Sequence, residues 1–474
     1  MDQAASTPST PSTTLSALEQ LRHWWNRLAA SVLGKPGDPG FDPATARLLD
    51  RVKALIEESR AQRGGEISVR RRAGEIAAVY RGASLPQRAA ILTLITREFA
   101  PDRDALEKAI AAIRSAANDA ELSRAEARLR GALNHPRAKF FAQFNLLPEG
   151  VKFLVDLRAD LLGLLPNEPA LEVLKGEIDE LLESWFDPGF LELQRISWQS
   201  PALLLEKLFA YEAVHPIESW NDLRNRLDTD RRCYAFFHPR LPNEPIIFVE
   251  IALAEGLPRS VQVLLDQNAP LQDPRSADTA VFYSISNAQK GLRGISFGNL
   301  LLKRVIEDLR RDLPRLRVFC TLSPVPGFRK WLDRGLAEKR VLLPQADIAK
   351  FAQSLGHPEP GTALSDALGR PDWPRDPQLA EALREPMEKL CAHYLLQERS
   401  GAHPVDPVAQ FHLNNGARVN GIYWLADTSS RGLRQSYGMM VSYCYAPDEL
   451  DDNHEQFQRG GRIVAARRVQ KLLG

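Results

Sequence analysis

Three stretches of this chain hold residue types that do chemistry. In "VFCTLSPVPGF", residues 318–328, an apolar and β-branched run ends at Ser323 and is followed at once by Pro324, Pro326 and Gly327. Proline has no N–H to give to a strand ladder, so the chain must turn there and leave Ser323 at the lip of a strand. A serine so placed is either a turn residue or a hydroxyl available to orient a substrate and exchange a proton. In "FHLNNG", residues 411–416, His412 is expected in a polar turn just before a strand, with Asn414 and Asn415 beside it. An imidazole carries protons near neutral pH, but a lone loop histidine is also a common structural residue.

The third stretch is "NAQKGLRGISFGNLLLKRVIEDLRRDLP", residues 287–314. Gly291, Gly294 and Gly298 fall in a short loop, and Leu301, Val305, Ile306, Leu309 and Leu313 then recur at helical spacing up to Pro314. Strand, glycine-rich turn and helix together leave backbone N–H groups unpaired at a helix N-terminus, where an anion is favoured. Glycine lets a pyrophosphate approach the backbone closely. The spacing is neither the dinucleotide fingerprint nor a Walker loop. A tight turn with no ligand would use the same residues.

The elements that must position these groups divide the chain. Helix signals dominate from about 15 to 190: "LLDRVKALIEE" sets Leu48, Leu49, Val52, Leu55 and Ile56 on one stripe, and a similar period recurs over 103–117. That half is expected to be a helical bundle that mediates self-association. Residues 1–14, which include a Ser/Thr/Pro run over 6–14, are expected to be disordered. A turn signal at Asp187-Pro188-Gly189 opens a second half, 191–474, in which strands at 245–253, 279–286, 317–323, 421–427 and 438–445 mix with helices. The expected class is therefore multidomain α and α+β: an all-helical N-terminal bundle, then an α/β layer domain. The segment 335–400 reads as an inserted helical stretch with prolines.

Composition narrows the function. With 474 residues, two or three domains of roughly 100–200 residues are expected. A net charge of +1 gives no electrostatic reason to expect a nucleic-acid or anionic-membrane partner. No run of about 18 apolar residues is present to span a membrane. Cys233, Cys320, Cys391 and Cys444 are far apart, without metal spacing, and the nine histidines are scattered, so no metal site is expected. The cysteines read as reduced thiols. With no basic-then-apolar leader at the N-terminus and no recognisable address at Lys471–Gly474, the expected location is cytoplasmic.

The loop "QKGLRGISFG" resembles the phosphate-binding loop of GNAT-type acyltransferases, which holds the coenzyme A pyrophosphate between two splayed strands. Taken with "ISWQSPALLLEK", "RRCYAFFHP", "VFYSIS", "LSPVPGF", "DPVAQFHLNNGA" and "WLADTSSRGLRQSYGMMVSYCY", it resembles the malonyl-CoA decarboxylase family, in the same order from residue 196 to about 445. Over the helical half only the layout is similar. The resemblance implies a GNAT-like catalytic domain behind a helical oligomerisation domain, with malonyl-CoA as substrate and a homo-oligomer, dimer or tetramer. It implies Ser323 and His412 as the catalytic pair and Arg293, Gly294, Ile295, Ser296, Phe297, Gly298 and Asn299 as the coenzyme A loop. Tyr445 and Ser284 are further candidates behind that pair. Decarboxylating a malonyl thioester leaves an enolate that the thioester itself stabilises, so no separate cofactor is expected. The protein would orient the carboxylate and protonate the carbon. A GNAT-type acyltransferase and a non-catalytic acyl-CoA sensor are the alternatives.

Overall fold

A computed structural model describes residues 42–60, 65–100, 102–133, 136–295 and 300–474. The tail expected at 1–14 lies outside them. The chain forms two compact units, Met1–Ser184 and Trp185–Gly474.

Among its described residues the first unit is helical, with no strand. Helix Pro43–Arg60 buries Leu49, Val52, Leu55 and Ile56, the stripe that the 3.6-residue period lays along one face. Helix Leu85–Glu98 begins at a reciprocal cap, with the Ser84 N–H donating to the Gln87 side chain at 2.9 Å. Packed phenylalanines fill the interior: Phe99 against Phe140 at 4.7 Å between ring centres, and Phe144 against Phe153 at 4.8 Å. A buried pair, Arg137 to Glu177 at 2.6 Å, ties helix Glu172–Trp185 to this core. Losing one partner of such a pair would strand the other charge, at a cost of about 3–5 kcal/mol.

The second unit is built on one mixed sheet. Its strands are β1 (Glu192–Ile196), β2 (Arg231–Phe237), β3 (Ile247–Ala254), β4 (Thr279–Asn287), β5 (Val318–Thr321), β6 (Ser323–Pro324), β9 (Arg418–Tyr423) and β10 (Met440–Cys444). A separate pair, β7 (Arg399–Ser400) and β8 (His403–Pro404), lies outside it. The order is β1-β2-β3-β4-β5-β10-β6, with β9 also on β10. Every pairing in the sheet is antiparallel except β4 with β5. That parallel pair requires a crossover, which helix Leu300–Asp312 supplies.

The strand expected at 317–323 breaks at Leu322 and changes partner: β5 pairs with β4 and β10, whereas β6 pairs only with β10. The 421–427 strand lies earlier, at β9. β1 and β2 were not anticipated. β2 is buried at every residue and so lacks the alternation that marks a half-exposed strand, while β1 is a largely exposed, polar strand. The 335–400 stretch is helical, with Gln345–Ser354, Pro360–Gly369 and Pro377–Leu396, the last carrying Pro386 in its interior.

Candidate active site

β4 and β5 run in register only as far as Phe282 and Thr321. One more bond, from the Leu322 N–H to the Phe282 carbonyl at 3.1 Å, closes the ladder. β4 then continues five residues beyond β5, still paired with β3, while the chain at Ser323 turns to β10. Between the parted strands is a cavity of about 230 Å³, walled by Phe282, Ile285, Pro407 and Phe411 and opening onto Ser323 and His412. The strand-ending prolines thus do what their chemistry requires: they take Ser323 out of the β4 ladder and leave its side chain at the gap.

His412 comes from a different element than expected. It lies in the last turn of helix Pro407–Asn414, not in a polar turn. Asp406 caps that helix, accepting from the N–H groups of Val408 and Ala409, and Pro407 occupies a first-turn position where its missing N–H costs nothing. The helix stops at Asn415-Gly416. Gly416 has φ +79°, and a Cβ there would lie 2.2 Å from the Leu450 carbonyl oxygen, so only glycine fits the exit.

The two side chains meet. Ser323 Oγ lies 3.1 Å from His412 Nε2, across 89 positions of sequence. The Ser323 hydroxyl donates to Thr321 Oγ1 at 2.9 Å, which leaves its lone pairs to accept from Nε2–H. Thr321 Oγ1 also accepts from the Tyr443 N–H at 3.0 Å. On the other side of the ring, Tyr445 Oη lies 2.6 Å from His412 Nδ1. With Nε2 carrying the hydrogen, the Tyr445 hydroxyl donates to Nδ1. Tyr443 stacks on the imidazole, with ring centres 4.4 Å apart and planes at 24°.

Burial governs the electrostatics. His412 is enclosed, and loss of water pushes its pKa down from 6.5 to about 3. The near-neutral value of a free imidazole therefore does not apply here: the ring is neutral at physiological pH. Burial also pushes the Tyr445 phenol well above its ordinary value, so it keeps its proton and can donate it.

Ser284 does not join this group. Its hydroxyl donates to the Glu212 carboxylate, at 2.9 and 2.8 Å to the two oxygens, and neighbours Ser286. The physical reason is the register shift at Tyr283, which sets Ser284 opposite Glu250 and Phe282 opposite Ile251 in β3: Ser284 turns to a buried polar cluster with Glu212 and Arg226, while Phe282 and Ile285 face the cavity. Tyr445, by contrast, touches His412 directly. Tyr443 and Asp406 went unread in the sequence. The alternation in "SYCY" places Tyr443 and Tyr445 on one face, and Asp-Pro before an apolar run is a helix-start signal.

Of the glycine-rich loop, Arg293, Gly294 and Ile295 are described, whereas Ser296, Phe297, Gly298 and Asn299 lie outside the described residues. Gly294 has φ +87°, a conformation that favours glycine. Gln289 anchors the loop's entry, donating to Glu244 at 3.1 Å and to the Pro245 carbonyl at 3.0 Å. Among the described residues no cluster of three metal-ligating side chains occurs, and no helix is long and apolar enough to cross a membrane. Cys320 and Cys444, far apart in sequence, are register partners on β5 and β10, and all four cysteines are free and buried.

Comparison with known proteins agrees over both units. Residues 189–474 match the profile of the malonyl-CoA decarboxylase C-terminal domain, and residues 99–186 that of the malonyl-CoA decarboxylase N-terminal domain. The mitochondrial malonyl-CoA decarboxylase of Anser anser anser is 33% identical over 468 residues, which cover 95% of this chain and 92% of that protein. The Rattus norvegicus protein of the same name is 35% identical over 408 residues, 82% of each chain. Among solved structures, the malonyl-CoA decarboxylase of Rhodopseudomonas palustris superposes with a TM-score of 0.81 at 41% identity, covering 89% of this chain and 99% of that one. That of Agrobacterium vitis gives 0.80 at 39% identity, covering 90% and 100%.

Proposed function

This chain belongs to the malonyl-CoA decarboxylase family, an enzyme that converts malonyl-CoA to acetyl-CoA and CO₂, and on that premise we propose that Ser323 and His412 carry out the reaction. The observation that supports these roles is the 3.1 Å contact between them at the cavity between the parted strands. The Ser323 hydroxyl turns from Thr321 to the malonyl carboxylate and holds it out of the plane of the thioester. Breaking the carbon–carbon bond releases CO₂ and sends the electron pair onto the thioester carbonyl as an enolate. His412 passes its Nε2 proton to the α-carbon as Tyr445 passes its hydroxyl proton to Nδ1, and the phenolate, disfavoured by its burial, regains a proton from water admitted through the cavity as product leaves. This route keeps the imidazole neutral throughout, in keeping with a buried ring whose pKa is pushed down to about 3. The substrate's own thioester is the electron sink, so the reading includes no added cofactor.

The loop Arg293–Asn299 binds the coenzyme A pyrophosphate in this reading, supported by the left-handed Gly294 and by helix Leu300–Asp312 that follows. The helical unit mediates self-association as a dimer or tetramer, a reading supported by the exposed Ile110, Leu122 and Leu133 on helices Arg103–Arg114 and Asp119–Leu133. The buried free cysteines accord with a reducing compartment such as the cytoplasm, which fractionation of the native host would check.

The test of the pair is kinetic. His412→Asn and Ser323→Ala are each assayed with malonyl-CoA and no acyl acceptor, following CO₂ and acetyl-CoA. Loss of a general acid typically costs ~10²–10⁴-fold in rate. Both variants are expected to lose kcat while binding coenzyme A normally, and the double variant is expected to lose less than the product of the two. Near-normal turnover in either single variant would assign the chemistry to other residues.

A further inference from the structure

Asp406 is fully buried, and only one of its two carboxylate oxygens is used by the helix it caps. Oδ1 accepts from Val408 at 3.0 Å and from Ala409 at 2.8 Å. Among the described residues Oδ2 has no hydrogen-bond partner. The N–H of Gly327 and the hydroxyl of Tyr394, from other parts of the chain, lie near enough to act on this carboxyl group. Burial raises the Asp406 carboxyl to about 6, and the N–H groups of Ala409, Val408 and Gly327 together with the Tyr394 hydroxyl hold it from rising further. At neutral pH a carboxylate therefore sits inside the protein, a costly arrangement for a residue that only caps a helix, since serine or asparagine caps as well without a charge.

These two neighbours give the arrangement a purpose. Gly327 ends the Pro-Val-Pro-Gly turn, four residues beyond Ser323, and opens helix Phe328–Ala337. It packs so tightly on Tyr394 that a Cβ there would lie 2.3 Å from the phenol oxygen. Tyr394 lies in helix Pro377–Leu396, and its ring packs against Phe328 at 5.8 Å and Trp331 at 5.3 Å. On the other side of Asp406 runs the helix that ends in His412. The turn carrying Ser323 and the helix carrying His412 thus meet at one buried carboxylate, backed by the helical segment that the sequence left without a role.

We propose that Asp406 is a positioning residue for decarboxylation: its carboxylate caps the His412 helix and neighbours Gly327 in the turn after Ser323, and so holds the pair at reacting distance. The inference rests on the reading of Ser323 and His412 as the reacting pair. A cap alone would not need Oδ2, so substitutions that keep the cap and remove that oxygen separate the two roles.

Asp406→Asn and Asp406→Ser both retain a good N-cap. Asn replaces one carboxylate oxygen with an amide NH₂ and removes the charge, and Ser removes that oxygen altogether. Each is expected to lower kcat at least ~10-fold with KM within about twofold, because the coenzyme A loop lies elsewhere in the chain. Circular dichroism and thermal melting verify that each variant is folded. If either folded variant turns over at the wild-type kcat, Asp406 is only a cap and the proposal is overturned. Should both fail to fold, Tyr394→Phe removes only the hydroxyl that neighbours the Asp406 carboxyl; a several-fold lower kcat at unchanged KM is expected, and an unchanged kcat overturns the proposal. His412→Asn is assayed alongside. If it loses turnover while Asp406→Asn does not, only the positioning role falls; if it turns over normally, the pair and the positioning role fall together.

Discussion

Tyr445→Phe is the substitution that tests the proton path most directly. The change removes one oxygen from a fully enclosed site and keeps the ring, so no cavity larger than that atom is created. The lost hydroxyl lies 2.6 Å from His412 Nδ1, and among the described residues Nδ1 has no other partner to take its place. Leaving a buried acceptor unsatisfied costs about 1–3 kcal/mol. If the hydroxyl served only to hold the ring and its tautomer, that energy would set the loss in kcat, ~5–150-fold at 1.36 kcal/mol per decade. If it also resupplies Nδ1 as Nε2 gives up its proton, the variant must form an imidazolate in a low-dielectric site. The loss then moves toward the full range for a missing general acid, ~10²–10⁴-fold. The assay is steady-state release of CO₂ from malonyl-CoA, with kcat and KM determined separately and folding checked by thermal melting. KM is expected to change little, because nothing in the substitution touches the coenzyme A loop. A folded Tyr445→Phe enzyme with wild-type kcat would refute the relay and the tautomer assignment with it.

The depressed pKa of His412 also makes a claim about stability. The unfolded chain binds a proton at this histidine below about pH 6.5, whereas the folded chain does not until about pH 3, so its contribution is fully present above 6.5 and is lost as pH falls through that window. Urea titrations of wild type and His412→Asn between pH 7 and 4 should differ by close to one proton in slope, the variant being the flatter; parallel curves would mean that the ring is not buried neutral. Gly294→Val places a β-branched residue at φ +87° and carries roughly 1–3 kcal/mol of backbone strain, so calorimetry should show coenzyme A binding weakened at least several-fold in a folded protein; undiminished affinity removes the loop from the binding site. Ile110→Asp with Leu122→Asp, both exposed, should reduce the assembly state of the full chain in light scattering while the helical content is kept, and an unchanged particle mass would move the self-association surface elsewhere.

The helical character of the first unit was legible because it is local: the stripe of Leu49, Val52, Leu55 and Ile56 is a consequence of 3.6-residue periodicity and needs no distant partner. The strand end at Ser323 was legible for a similar reason, since proline's missing N–H stops a ladder wherever the strand lies. The order of motifs along the second unit was enough to point to the family. What only the tertiary structure decided is everything that depends on partners far away in sequence. Strand β2 could not be read because a strand buried on both faces has no alternating pattern. Ser284 and Phe282 lie two residues apart on one strand, yet one side chain meets Glu212 and the other the cavity, a division set by the local register shift against β3 and by what packs on each side. The neutral state of His412 follows from complete burial, the sum of all the side chains that exclude water from it, and no residue type or spacing encodes that sum. Its 3.1 Å approach to Ser323 spans 89 residues and requires a parting of β4 and β5, a helix capped by Asp406 and a glycine fitted against Tyr394. Local propensity specifies each of those elements, but the distance between them belongs to the fold.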